Sequence, residues 1–201
     1  MKTTPYPTIT MIPAPKQIKR LATLLQRGFL IPCTDPIPLE TVLLGLPGFS
    51  HEYIHSSIET IFINGTASDS LAQSVGPGCT VALSAAMPGL AGAIFRKGGP
   101  HAALRTPAPT SLPGDQNRHQ FLTLKLFNMV ADDSVQPLLD QGILMRDTTL
   151  ARFFKNRAEQ LHHILSAITI NRTPIPMDRP VQLPANQEIF LVRTKTDPTD
   201  T

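Results

Sequence analysis

Residues 8–31 read TITMIPAPKQIKRLATLLQRGFLI, and residues 122–145 read LTLKLFNMVADDSVQPLLDQGILM. The two stretches align without a gap. Each opens on an extended apolar run, passes a Leu-Leu pair (Leu24-Leu25, Leu138-Leu139), reaches a glycine (Gly28, Gly142) and returns to apolar residues. A short helical pattern follows in both, over 38–43 and 148–154. The match resumes at 58–66 (IETIFINGT) against 165–173 (LSAITINRT), then at 74–85 (SVGPGCTVALSA) against 182–193 (QLPANQEIFLVR). Four stretches in one order, with small length changes between them, point to an internal duplication.

Each half then reads as strand, amphipathic stretch, strand, helix, strand, turn, strand. In the second half the spacing predicts a strand over 121–130. It predicts a helix over 150–164, with Leu150, Phe153, Phe154, Leu161 and Ile164 on one face and Thr148 or Thr149 as N-cap. Ile168 and Ile170 alternate with threonine on a strand ended by Asn171 and Pro174, and 188–192 supplies the last strand. Helices interleaved with strands in about 75 residues make an α+β chain with a mixed sheet and a helix on one face. The expected organisation is a first half over 1–95, a Gly/Pro-rich connector over 96–119, a second half over 120–195 and a tail over 196–201.

Composition narrows the functional classes. Of 201 residues, 41% are hydrophobic and 16% charged, which suits a packed core and not a disordered chain. Twenty prolines are about twice the ordinary share, and they cluster at connections. A net charge of +3 with no dense basic stripe argues against a nucleic-acid protein, and Lys16, Lys19, Arg20 and Arg27 read as a solvated face. The apolar run over 87–95 is too short to span a bilayer, and the N-terminal residues lack the apolar core of an export signal. Two cysteines, Cys33 and Cys79, are no disulfide framework, so reduced thiols and a cytoplasmic protein are expected. No P-loop, dinucleotide fingerprint or nucleophile-elbow motif is present.

The order of signals resembles the β-grasp, or ubiquitin-like, fold, and especially the sulfur carriers typified by the small subunit of molybdopterin synthase. Ile58 to Gly65 resembles the family's strand ending in an Asn-Gly turn. Gly76 to Leu83 resembles its last turn and strand, and Met87 to Gly92 lies where its glycine-rich tail begins. The resemblance covers about 8–95 and, more faintly, 122–194. It implies two β-grasp-like halves and a protein partner. The carriers act through a terminal Gly-Gly carboxylate, whereas this sequence ends DPTDT and its Gly98-Gly99 pair runs on into Pro100. Carrier chemistry would require cleavage after Gly99.

Two features could carry function. The first is His51-Glu52-Tyr53-Ile54-His55, an H-E-x-x-H that places two imidazoles one helical turn apart to hold zinc, with Glu52 as base for a bound water. The stretch available is about two turns, with Ser50 as N-cap, and the expected third ligands downstream are missing. Asp69, His101 and His119 could reach it only through folding. The simpler reading is a short capped helix with exposed polar residues. The second feature is the run 85–95, which either seals the two halves together or binds a partner through Met87, Pro88, Gly89, Leu90 and Phe95. The expectation from sequence is therefore a non-enzymatic protein-binding or adaptor protein without a cofactor. A zinc-dependent hydrolase using His51, Glu52 and His55 is the alternative, and a processed carrier stands third.

Overall fold

The computed structural model describes residues 6–105, 120–178 and 180–195. In chain order it contains β1 (Thr8–Pro13), α1 (Ala22–Arg27), β2 (Phe29–Pro32), β3 (Ile37–Pro38), α2 (Leu39–Leu44), α3 (His51–Ser57), β4 (Thr60–Ile63), β5 (Thr66–Ser68), β6 (Ser74–Val75), β7 (Thr80–Ser84) and α4 (Gly89–Phe95). There follow β8 (Phe121–Phe127), α5 (Asn128–Gln141), β9 (Ile143–Arg146), α6 (Asp147–Asn156), α7 (Leu161–Ile164), β10 (Leu165–Ile170), β11 (Thr173–Pro174) and β12 (Ile189–Thr194). The chain is mixed α+β. It forms two compact units, one assembled from both ends of the sequence and the other from its continuous middle.

One unit joins Met1–Phe29 to Ser134–Thr201. Its strands run β11-β10-β1-β12-β9. β1 is antiparallel to β10, with Ile9 opposite Ile170, and parallel to β12, with Thr8 opposite Leu191. Alternation sends Ile9, Met11, Met145, Phe190 and Val192 to the buried face. α6 covers that core because Leu150, Phe153 and Phe154 stand at helical spacing and are all buried.

The other unit is Leu30–Asp133. Its strands run β2-β8-β7-β4-β5, and β3 pairs separately with β6. β7 lies parallel to β8, from Thr80 opposite Thr123 to Ser84 opposite Phe127. β4 and β5 form a hairpin through Asn64 and Gly65, whose φ angles of 51° and 82° are those of the tight turn that Asn-Gly favours. Leu122, Leu124, Leu126, Val81, Leu83 and Ile61 fill the core with Leu39 and Leu43 of α2 and Ile54 of α3.

The units do not follow the sequence halves 1–95 and 120–195. β1 finds its partners in β10 and β12, and β8 finds its partner in β7, so each unit takes a strand from the opposite half and the expected pair of small sheets, one per sequence half, is not what forms. The strand orders differ as well. Matching β1 to β8 and β12 to β7, the central two strands of one unit are exchanged relative to the other. The gapless alignment also places buried Ile9 and Met11 opposite Thr123 and Lys125, which are only half-buried. A slip of one residue turns a strand over, so the first strands of the halves present opposite faces.

Backbone turns agree better. Left-handed φ angles recur at aligned positions: Gly28 (104°) and Gly142 (98°), Asn64 (51°) and Asn171 (50°), Gly65 (82°) and Arg172 (70°), Gly78 (79°) and Asn186 (63°). Other expectations need correction. The strand expected over 121–130 stops at Phe127, because Asn128 (φ 52°) turns the chain into α5. The helix expected over 150–164 is two helices, α6 and α7, separated by a turn. Neither Thr148 nor Thr149 caps α6; the Asp147 carboxylate instead accepts from the Thr148 amide at 2.6 Å. The connector expected from residue 96 begins as ordered chain up to Arg105. Its remainder, 106–119, and the tail 196–201 lie outside the described residues. No helix among the described residues is long and apolar enough to cross a membrane.

Candidate metal centre

α3 is short, and two local devices hold it. The Ser50 side chain accepts from the Tyr53 amide at 3.1 Å, as the sequence led one to expect of an N-cap. Ile54, about a quarter-turn round the helix from the His51–His55 pair, is fully buried. Phe49 packs edge-on against Tyr53 at 5.6 Å, and the Tyr53 hydroxyl bonds Asp133 Oδ2 at 3.2 Å. With Ile54 inward, His51 and His55 are turned outward, one turn apart.

The residue that meets them is Glu40, on the first turn of α2. His51 Nδ1 donates to Glu40 Oε1 at 3.2 Å, and His55 Nε2 donates to the same oxygen at 3.0 Å. The His55 hydrogen bond, with that of His51 second, holds the Glu40 carboxyl below the usual carboxylate range. One ligand atom from each of the three residues lies within 4.8 Å of the others. In a tetrahedral zinc site with bonds of about 2.0–2.2 Å, donor atoms stand about 3.3–3.6 Å apart. The two measured separations fall close to that. Two imidazoles and one carboxylate are borderline donors that suit zinc, and a set of two His and one Glu leaves one position open.

Glu40 is fixed by its own backbone. Its amide donates to the Leu71 carbonyl at 3.0 Å and that of Leu39 donates to Gln73 at 3.0 Å, while Leu39 and Leu43 anchor α2 in the core. Sequence reading missed Glu40 because it searched for a third ligand downstream of the motif. The available signal was an acidic residue on the short helical pattern just before a Pro-Gly turn, which folds that helix back on α3. Asp69 is engaged elsewhere. The Gly98 amide, and then Arg105, hold its carboxyl below the usual range, with hydrogen bonds of 2.8 and 2.7 Å. His101 belongs to a separate turn, and His119 lies outside the described residues. Glu52, the base of the alternative hydrolase reading, is exposed beside His51 and has no hydrogen bond or ion pair among the described residues.

The second expected feature is a helix and strap. Met87 and Phe95 are half-buried, Pro88 and Gly89 are exposed, and Leu90 is 69% exposed, so Leu90 seals nothing. Phe95 lies on Phe62 of β4 at 5.2 Å. Gly92 is required where it is, because a Cβ there would overlap the Met87 carbonyl oxygen. Arg105 straps the segment down, donating to the carbonyls of Ile94 and Arg96 as well as to Asp69. Gly98-Gly99 is pinned by that strap; the Gly99 amide donates to Arg96 at 3.0 Å, and the Gly99 carbonyl accepts from Ala102 at 3.1 Å. Cys33 is buried and Cys79 half-buried, and both are free thiols. His162 and His163 have adjacent exposed rings with no third donor within reach among the described residues.

An open groove of about 930 Å³ lies between α6 and residues 180–188, one of about 350 Å³ lies between residues 158–162 and Met177, Asp178, Pro180 and Val181, and a third lies beside His163. None of the three is lined by Glu40, His51 or His55. No family model, curated protein or solved structure matches this chain.

Proposed function

We propose that this protein is a zinc-binding, non-enzymatic protein-binding module built on a duplicated β-grasp-like plan. The observation that carries the zinc reading is Glu40. Its carboxylate sits between the two imidazoles of the H-E-x-x-H and supplies the third ligand that the motif lacks in sequence. Two imidazoles on adjacent turns already form a chelate, and a third donor on a separately anchored helix makes the set pre-organised. Metal binding would then take the ring nitrogens that now face Glu40, each imidazole binding as the neutral ring with its proton on the other nitrogen.

The ion would staple α2 to α3. The His51 and His55 side chains are 73% and 60% exposed, so the described residues do not enclose them against water as hydrolysis requires. That favours a binding role over the hydrolase reading. The aligned turn angles and the central parallel pair in each unit support the duplicated plan. The pinned Gly98-Gly99 segment gives the carrier reading no free tail.

Untagged protein stripped of metal and dialysed against zinc should retain one equivalent per chain. His51→Ala, His55→Ala and Glu40→Ala should each lower zinc affinity by at least about tenfold, because even residues behind the ligands contribute 10- to 100-fold. Competition against a chromophoric chelator reads this out. Retention of less than a tenth of an equivalent by the wild-type chain would sink the reading.

A further inference from the structure

A zinc ion held by Glu40, His51 and His55 has three protein donors, whereas structural zinc sites are closed by four. The cluster stands at the surface, with the two imidazoles mostly exposed and the Glu40 side chain 29% exposed. The vertex away from α2 and α3 therefore faces outward. Beside it stands Glu52, exposed and without a hydrogen bond or ion pair among the described residues. Consecutive helical positions differ by about 100° around the axis, so Glu52 flanks the ion on its own chain and leaves the outward vertex open.

Resting on the zinc reading above, we infer that a second copy of this chain closes the site. The partner's Glu52 supplies the fourth donor, in a two-fold dimer bridged by two zinc ions. The charge logic is direct: a bound cation on one copy meets an unpaired carboxylate on the other. The symmetry closes on itself. If Glu52 of one copy reaches the partner's ion, the partner's Glu52 reaches the first ion, and the contact is isologous and ends at two. Each copy gives three ligands to one ion and one to the other. The contact is made by α3 and its immediate surroundings, so it is too small to hold without metal, and the dimer appears only when zinc is present.

Sedimentation velocity on the untagged full chain tests this, first stripped by a chelator and then with one equivalent of zinc, at tens of micromolar protein. The expected result is a single chain without zinc, a doubled mass with it, and reversal on adding the chelator. Glu52→Ala should still bind one zinc per chain, at least about tenfold more weakly, and should stay a single chain. Wild-type protein that holds one zinc per chain yet sediments as a single chain would overturn the inference and leave the zinc site standing. So would a dimer that forms without zinc, or one that Glu52→Ala forms as readily as wild type. A wild-type chain that takes up no zinc would overturn the zinc reading itself, and this inference with it.

Discussion

A chain cut at a protease site inserted between Pro107 and Gly114 is expected to elute as one particle holding both pieces, and each piece alone is expected not to fold. The reason lies in the strand partners. In the piece 1–105, Ile9 and Met11 on β1 have lost both neighbouring strands, since these come from residues 165–194. β7 has lost its parallel partner along all five paired positions. Removing β8 also takes away Leu122, Leu124 and Leu126, each fully buried. At about 1.5–3 kcal/mol per buried side chain, these three contribute about 5–9 kcal/mol. That matches most or all of the about 5–15 kcal/mol that holds a typical domain together. Size-exclusion chromatography of the cut chain in native buffer, followed by urea separation and far-UV circular dichroism of each piece, makes the comparison. Pieces that separate in native buffer and keep their secondary structure would show that the halves fold independently.

The second large effect falls on Ile54→Ala. α3 has seven residues, and a helix that short has no stability of its own in water. It is held by the Ser50 cap and by Ile54, which is fully buried. Truncation of a buried Ile to Ala costs about 2–5 kcal/mol, and here the loss lands beside the Glu40–His51–His55 cluster. The urea midpoint should fall accordingly with little change in slope. Zinc at about 100 times its dissociation constant should return about 2.7 kcal/mol to the wild-type chain. The variant should recover less, because its histidines are no longer held in register. A midpoint within experimental error of wild type would mean that α3 is seated by something other than Ile54.

These two results separate what was legible in the sequence from what was not. The repeating turns were legible because they depend on local chemistry. Asn64-Gly65 and Gly78 impose backbone angles that the aligned Asn171, Arg172 and Asn186 also adopt. The Ser50 cap was legible for the same reason. Strand partners were not, because hydrophobic alternation identifies a strand and its inward face but not the strand beside it. β1 and β8 could each have paired within their own halves on pattern alone. The first-strand alignment failed at the level of a single residue, where Leu122 and Leu124 stand in phase with Thr8 and Thr10 while Ile9 and Met11 are the buried pair. Glu40 was hidden by direction. A search outward from the motif toward the C-terminus passes away from the helix that folds back on it.

The most direct test of the proposed zinc centre is X-ray absorption at the zinc edge on the loaded, untagged chain. Two imidazole nitrogens at about 2.0–2.1 Å, with the other near neighbours oxygen at about 2.0–2.2 Å, are the predicted shell, and Glu40→Ala should lose the ion or replace one oxygen by water. A sulfur neighbour at about 2.3 Å would place the zinc on Cys33 or Cys79, and a shell without imidazole scattering would place it outside the Glu40–His51–His55 cluster. Either result would contradict the account.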